Sequence, residues 1–235
     1  MDWLKQRPIA HRGLHKGFSI PENSMLAFKR AIEKNYAIEL DVRITKDKQI
    51  VVFHDKNLIR VCANKKKIKN QNYDALKNIK LYHSNQTIPL FRDLLKLVDG
   101  KVPLVIEIKN YGVVGEMEEI LANMLDEYNG KFSICSFNHH VVDWFRINRP
   151  SFIRGLIYGD IKKFQIKFYK LVFLYRFFKV KPHFISLDYK LLDTLIPVFC
   201  RRADIPIVSW TVNTKKKMRK ANTIVDNIVF ENIKP

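Results

Sequence analysis

The stretch Ala37-Ile-Glu-Leu-Asp-Val-Arg-Ile-Thr-Lys-Asp-Lys-Gln-Ile-Val-Val-Phe-His-Asp55 decides the fold. Its first half is rich in β-forming residues and predicts a strand in which Glu39 and Asp41, two residues apart, point to the same side. The polar turn that follows is too short for anything but an antiparallel return, which brings His54 back toward the two carboxylates. Carboxylates aimed at one spot repel each other unless they share a proton or a cation. We therefore expect chemistry at this hairpin.

The residues before the hairpin predict a parallel partner for its first strand. The short apolar run Pro8-Ile-Ala10 leads into His11-Arg-Gly13, as a strand with polar residues at its tip. An apolar spacing typical of a helix begins at Met25, with Asn23 or Ser24 as the N-cap. A strand, a helix and a strand within about 35 residues form a βαβ unit, so the two strands should be parallel.

The rest of the chain repeats this alternation. An insertion covers about residues 56–100, with a short helix from Asp74 and a second helix that ends at Asp99-Gly100. Further strands are predicted, in chain order, at 103–109, 132–137, 153–158, 183–187, 206–212 and 227–231. Helices are predicted at 114–128, 140–148 and 190–202, and a short lysine-rich one before the last strand. Four residues follow the last predicted strand, so the final outer helix is missing or supplied otherwise. With the hairpin return set aside, eight parallel strands predict a (β/α)8 TIM barrel with a hairpin return strand and a small insertion, as one domain over 1–235.

The charge balance limits the class of partner. The chain has 42 Lys and Arg against 23 Asp and Glu, a formal net charge of +19. Such a field favours anionic partners, whether phosphorylated substrates, acidic membranes or nucleic acid. Nucleic acid is supported by the net charge alone, without a recognisable binding module, so we expect none.

Cysteine usage and hydropathy indicate the compartment. Cys62, Cys135 and Cys200 lie far apart and lack the spacing of a disulfide framework or a zinc site, which fits a reducing compartment. The N-terminal residues lack an apolar signal core, and no run approaches the roughly 20 apolar residues of a spanning helix. We expect a cytoplasmic protein, either free in the cytoplasm or peripheral on the inner membrane face.

Polar residues gather at the predicted strand ends. The first strand carries His11 and Arg12, the second carries Glu39 and Asp41, the third carries Glu107 and Lys109, the seventh carries Trp210, and the hairpin returns His54. Three carboxylates suit one divalent cation, Mg²⁺ or Ca²⁺. An arginine and a lysine suit a phosphate, and two histidines can divide general acid and general base work. This combination favours phosphoester cleavage.

The motifs resemble one family over nearly the whole chain. Ile9-Ala-His-Arg-Gly13, Glu22-Asn-Ser24, Glu39-Leu-Asp-Val42, the His54-Asp55 pair, Ile106-Glu-Ile-Lys109 and Ser209-Trp-Thr-Val-Asn213 occur in the order seen in glycerophosphodiester phosphodiesterases. The resemblance implies a TIM barrel with a characteristic insertion. It also implies metal-dependent hydrolysis of a small-molecule glycerophosphodiester to glycerol 3-phosphate and an alcohol.

The resemblance also implies a role for each site residue. His11 and His54 would be the acid/base pair, and Glu39, Asp41 and Glu107 would hold the divalent ion. Arg12 and Lys109 would contact the phosphate, with Glu22 and Trp210 lining the substrate site. In this family the glycerol 2-hydroxyl is expected to attack first, giving a cyclic phosphate that water then opens.

Residues 161–181 are unusually rich in aromatic and basic side chains. Phe164, Phe168, Leu171, Tyr175 and Phe178 follow helical spacing, and Lys163, Lys167 and Lys170 form a separate stripe. The segment is either an ordinary outer barrel helix or a helix that contacts an anionic membrane surface.

Two alternative functions stay open. One is a phospholipase-type phosphodiesterase that acts on membrane lipid, and the other is a non-catalytic basic membrane-binding barrel. The complete set of histidines, carboxylates and cations disfavours the second. A glycosidase is less favoured, because it needs two carboxylates but neither paired histidines nor phosphate-binding cations.

Overall fold

The computed structural model describes residues 1–161 and 168–235. Contacts along the chain divide it into two compact units. We call Ile9–Phe132 the N-terminal unit, and Met1–Pro8 with Ser133–Pro235 the C-terminal unit.

The described elements follow the predicted alternation of strands and helices. The strands are β1 (Ile9–Ala10), β2 (Ala37–Ile44), β3 (Ile50–Val52), β4 (Leu104–Ile108), β5 (Phe132–Ser136), β6 (Arg154–Tyr158), β7 (Phe184–Asp188), β8 (Ile207–Val212) and β9 (Asn227–Phe230). The helices are α1 (Trp3–Gln6), α2 (Met25–Glu33), α3 (Ile59–Cys62), α4 (Phe91–Val98), α5 (Glu116–Asp126), α6 (His139–Asn148), α7 (Tyr169–Val180), α8 (Leu195–Arg202) and α9 (Lys215–Ala221). Eight parallel strands with helical connections confirm the (β/α)8 TIM-barrel fold class.

Strand β2 is the centre of the N-terminal unit. It pairs in parallel with β1 and β4, and Asp41 lies opposite Glu107 in the second pairing. The end of β2 pairs antiparallel with β3, with Val42 opposite Val52. The predicted hairpin return is therefore confirmed.

Helix α2 begins where the sequence predicted. Ser24 is the N-cap, and its hydroxyl accepts a hydrogen bond from the Ala27 amide at 3.2 Å. After the helix, Asn35 has a φ of 57°, a left-handed conformation that ends the helical path before β2. These two signals fix the length of the βαβ connection.

The insertion has a small core of its own. Apolar side chains from the loop after β3 to the start of α4 bury one another, with Leu58, Ile68, Leu76, Leu81 and Ile88 at its centre. The helix predicted from Asp74 is only a short 3-10 turn, Tyr73–Ala75. A segment of this size obtains its rigidity from burial rather than from long helices.

The C-terminal unit contains β6 to β9 and β5 from Ser133 onward, paired in parallel in chain order. The helix predicted over 190–202 is interrupted. A 3-10 turn, Tyr189–Leu191, precedes α8, whose N-cap Thr194 accepts a hydrogen bond from the Ile196 amide at 3.3 Å. Pro197 has no amide hydrogen, so it suits the first turn of a helix and not an interior position. The sequence did not predict α1. The Asn227 side chain donates to the Leu4 carbonyl within this helix and to the Arg7 carbonyl just after it.

None of the helices within the described ranges has the length and hydrophobicity needed to cross a bilayer.

Candidate active site

Strands β2 and β4 place three carboxylates together in the N-terminal unit. Glu39, Asp41 and Glu107 are all buried. One carboxylate oxygen from each lies within 4.8 Å of the others. The spacing of two along β2 and the register with β4 produce this cluster, as the sequence predicted.

Two cations lie among these carboxylates. Lys109 Nζ is 2.6 Å from Glu107 Oε1 and 3.2 Å from Asp41 Oδ1. Arg12 Nε is 3.3 Å from Asp41 Oδ2, and the Arg12 backbone amide donates to Glu39 Oε2 at 2.9 Å. The buried charges are thus partly balanced by residues of the chain itself.

The balance between burial, repulsion and nearby cations differs among the three carboxylates, and so does the direction of each pKa shift. Burial and the charges of Asp41 and Glu107 hold the pKa of Glu39 well above its ordinary value. Burial and the charge of Asp41 raise the pKa of Glu107 to about 7, although Lys109 acts in the opposite direction. Burial of Asp41 favours its neutral form, but Lys109 and Arg12 outweigh it and lower its pKa.

This donor set fits a divalent metal ion. Three carboxylates converge on one place, and two of them have raised pKa values because burial disfavours their charged forms and neighbouring carboxylates add repulsion. Oxygen ligands of this kind suit Mg²⁺ or Ca²⁺, and a bound cation would favour their ionised forms. Glu39, Asp41 and Glu107 are therefore the residues that could hold the ion.

His11 lies beside this cluster. It follows β1 directly, and its Nε2 is 4.0 Å from Glu39 Oε2. The next residues make the tight turn that delivers it, since Arg12 and Gly13 both have positive φ values, of 53° and 78°. His11 is thus brought to the carboxylates, as predicted.

His54 reaches the same end of β2 through the hairpin. Its Nδ1 is 2.6 Å from Asp55 Oδ1, a contact that orients the imidazole ring. Its backbone carbonyl accepts hydrogen bonds from Arg43 Nε and Nη2 at 2.9 and 2.5 Å. Arg43 also donates to the Lys109 carbonyl at 3.1 Å, so one side chain ties the hairpin to β4. Burial lowers the pKa of His54, despite the opposing charge of Asp41.

Glu22 joins the site through arginines. Arg12 Nη1 donates to Glu22 Oε1 at 2.7 Å. Arg60 of α3 donates to both oxygens of Glu22, at 2.7 and 2.8 Å. These bonds outweigh the effect of burial and lower the pKa of Glu22, so the group is a carboxylate.

Sequence reasoning missed three residues that support the site. Asn23 donates to Asp41 Oδ2 at 2.8 Å and accepts from the Asp41 amide at 3.3 Å, whereas the sequence suggested only a cap. Asp55 orients His54, and Arg60 connects Asp55 to Glu22. Asn23 and Asp55 stand inside the quoted motifs, so their position was a signal, but Arg60 carried no motif.

Trp210 lies in the C-terminal unit, within β8. Its Nε1 donates to the Ser186 carbonyl at 3.1 Å, and its ring packs edge-to-face on Phe137 at 5.5 Å between centroids. The ring is therefore held in place within its own unit. A role toward substrate stays a prediction.

Comparisons with known proteins identify one family and one fold. The model of the glycerophosphoryl diester phosphodiesterase family matches residues 11–234. The glycerophosphodiester phosphodiesterase of Caldanaerobacter subterraneus subsp. tengcongensis is 29% identical over 243 residues, covering 97% of this chain and 95% of that protein. A phosphodiesterase of Oleispira antarctica, solved with the product sn-glycerol-3-phosphate, superposes with a TM-score of 0.83 at 20% identity, covering 97% of this chain and 94% of its own. The Thermotoga maritima glycerophosphodiester phosphodiesterase gives 0.79 at 22% identity, covering 96% and 94%.

Proposed function

The chain belongs to the glycerophosphoryl diester phosphodiesterase family, and on that premise we propose that it hydrolyses glycerophosphodiesters to glycerol 3-phosphate and an alcohol with the help of one divalent cation, Mg²⁺ or Ca²⁺. The observation that carries the proposal is the buried cluster of Glu39, Asp41 and Glu107 beside two histidines. The product named with the Oleispira antarctica structure belongs to the same substrate class.

The three carboxylates are the proposed metal ligands. When bound, the ion would screen phosphate charge and stabilise the negative charge that develops on oxygen. Arg12 and Lys109 supply the remaining positive charge, and both have raised pKa values because neighbouring carboxylates outweigh the effect of their burial. They are protonated at neutral pH and suit a phosphate oxygen.

His11 and His54 are the proposed acid/base pair. In the first step one imidazole accepts the proton of the glycerol 2-hydroxyl as its oxygen bonds to phosphorus. The other imidazolium gives a proton to the departing alcohol oxygen as the P–O bond breaks. Water then opens the cyclic phosphate with the two roles reversed, which restores both protonation states.

Glu22 and Trp210 complete the proposal as residues that line the substrate site. Glu22 is a fixed acceptor that suits glycerol hydroxyls, because two arginines hold its oxygens. Trp210 is included on the family resemblance.

The test is release of glycerol 3-phosphate from glycerophosphocholine, with and without a chelator. We expect chelation to abolish turnover and Mg²⁺ or Ca²⁺ to restore it. His11→Ala and His54→Ala should each lower kcat by roughly 10²–10⁴-fold. His83→Ala is the matched control, since His83 is an exposed histidine of the insertion. Activity that survives chelation or both active-site substitutions would refute the mechanism.

We also propose that α7 contacts an anionic membrane surface. The protein would then be peripheral on the cytoplasmic face of the membrane. Leu171, Tyr175 and Phe178 lie three and four residues apart and are each more than 60% exposed. The opposite face of α7 is buried through Phe173 and Phe177. The helix is thus an outer barrel helix with a second apolar stripe facing outward.

Charge decides the partner we propose for this stripe. The α7 sequence contains no acidic residue, and its cations include Lys170 and Lys179, with Lys181 just beyond. Lys179 Nζ lies 5.9 Å from the centre of the Tyr175 ring. Apolar side chains flanked by lysines suit the interface of an anionic bilayer, whereas a second copy would add like charge. Lys163 and Lys167, part of the predicted lysine stripe, lie outside the described residues.

Vesicle co-sedimentation tests this contact. We expect binding to vesicles of phosphatidylglycerol and phosphatidylcholine in equal parts, weakening as salt rises, and little binding to phosphatidylcholine alone. Leu171→Glu with Phe178→Glu should weaken binding by about tenfold or more. Ile147→Glu is the control, because Ile147 is an exposed apolar residue of α6. Unchanged binding by the double variant, or self-association through the stripe, would contradict the proposal. Turnover of vesicle lipid would favour the phospholipase-type alternative.

A further inference from the structure

Arg60 is a residue of the insertion with a fixed position. It lies on the single turn α3, whose neighbours Leu58 and Val61 are buried in the insertion core. A side chain that starts from such an anchored turn has a defined origin, even though the side chain of Arg60 is 44% exposed.

The guanidinium of Arg60 joins two carboxylates. Its Nε donates to Asp55 Oδ2 at 2.7 Å. Its Nη2 and Nη1 donate to Glu22 Oε1 and Oε2 at 2.7 and 2.8 Å. Three of its five donors thus reach three carboxylate oxygens, a geometry that lysine cannot reproduce.

Each of those carboxylates contacts a residue of the proposed mechanism. Asp55 Oδ1 lies 2.6 Å from His54 Nδ1. Glu22 Oε1 also accepts from Arg12, which is in turn paired with Asp41. Arg60 therefore donates hydrogen bonds directly to Asp55, which orients His54, and to Glu22, a proposed substrate-binding residue.

Without a cation between them, Asp55 and Glu22 would lose their shared partner. Asp55 would keep His54 but lose the bond that holds its second oxygen, so the imidazole would be less well oriented. Glu22 would keep Arg12 on one oxygen and be able to rotate about it. Arg60 also receives support from Tyr82, whose hydroxyl oxygen accepts from Nη1 at 3.3 Å.

We propose that Arg60 is a positioning residue for the phosphodiesterase reaction, holding Glu22 for the substrate and Asp55 for His54. The inference rests on the proposed function. It makes the insertion part of the active site, because the insertion supplies the group that sets two active-site side chains at once.

Kinetics of Arg60→Ala and Arg60→Lys test this role against that of a structural clamp. We expect Arg60→Ala to lower kcat/KM by roughly 10–100-fold. The kcat should fall because His54 is less well oriented, and the KM should rise because Glu22 is less well held for the substrate. Arg60→Lys should recover only part of the loss. Millimolar methylguanidinium should partly restore Arg60→Ala, because the vacated site is open to solvent. Arg92→Ala is the matched control, since Arg92 is an arginine of the same unit that donates to Gln49 at 2.8 Å.

The outcomes separate this inference from the proposed function. If the wild type cleaves glycerophosphocholine and Arg60→Ala keeps its kcat and KM, the inference is wrong and the proposed function stands. A loss of activity that follows a loss of thermal stability and is not rescued by methylguanidinium would also overturn it. A wild-type chain that cleaves no glycerophosphodiester would refute the proposed function and this inference together.

Discussion

Gly13 shows how a single backbone position delivers the first histidine. Its φ is +78°, and a Cβ at this position would lie 2.9 Å from the Ala27 carbonyl carbon and from Phe28 Cδ1. Both the left-handed conformation and the close approach of α2 require glycine. The turn that places His11 beside the carboxylates therefore requires a residue without a Cβ at position 13.

We predict that Gly13→Ala lowers the free energy of unfolding by about 2–4 kcal/mol, from backbone strain and steric overlap together. Gly17→Ala is the matched control. Gly17 has a φ of +51° but nothing within 4 Å of its added Cβ, so it should lose only the strain, about 1 kcal/mol. Urea unfolding measures both, and equal losses would contradict the steric argument.

His139 gives the protein a pH-dependent stability outside the active site. Burial, His140 and the cations Arg176 and Lys179 lower its pKa to about 4. The unfolded chain, with a histidine pKa of about 6.5, then binds more protons than the folded one between these values. The folded state is therefore not penalised by His139 above about pH 6.5, and the free energy of unfolding falls as the pH decreases toward 4.

We therefore expect His139→Gln to flatten the decline of stability between about pH 6.5 and 4. Urea unfolding across this range checks it, with His83→Gln as the control at an exposed position. Parallel curves for the wild type and His139→Gln would contradict the assignment.

At the residue scale the sequence predicted which side chains gather at the site better than it predicted which of them form ion pairs. Glu39, Asp41 and Glu107 were expected together and lie together. Arg12 and Lys109 were expected to contact phosphate, which stays a proposal, but their contacts with the carboxylates were not predicted. A motif states which groups are present, but the pairing of charges depends on side-chain paths that only the folded chain defines.

At the scale of elements, the start of helix α2 fixes the loop that contains Glu22 and Asn23, which directly precedes the helix. Its N-cap Ser24 is fully buried and both accepts from the Ala27 amide and donates to the Pro21 carbonyl at 2.7 Å. The cap therefore fixes the helix and the loop before it together.

We predict that Ser24→Ala costs about 1–2 kcal/mol of unfolding free energy. Ser19→Ala, at an exposed serine that donates to the Lys16 carbonyl, should cost less than about 0.5 kcal/mol. Chemical unfolding of both variants checks the difference. Equal stabilities would show that the Ser24 bonds are replaced by other groups.

Elements differed in how readily the sequence revealed them. The β2–β3 hairpin was predictable, because a turn of a few residues allows only an antiparallel return. The helix over 190–202 was wrong in its first half, since Thr194 and Pro197 together start a new helix. Helix α1 was missed because a four-residue helix has too little periodicity to detect, and its position depends on contacts with Asn227, more than 200 residues away.

At the scale of the whole molecule, the eight-strand alternation was strong enough to predict the fold class, while the domain count rests on the sequence alone. We expect residues 1–235 to unfold as one domain. Differential scanning calorimetry should give a single transition with equal calorimetric and van't Hoff enthalpies. Two resolved transitions would contradict a single domain.

The pairing of Lys109 with Asp41 and Glu107 would have a consequence for how the proposed divalent ion is exchanged. A counter-charge that belongs to the chain cannot diffuse away, so the carboxylates are never left without positive charge while a metal arrives or departs. The fold would then not depend on the ion, and binding of the proposed metal could follow its supply in the surroundings. In the proposed mechanism the metal would be needed for turnover, whereas the lysine balances the carboxylate charge whether or not the metal is bound.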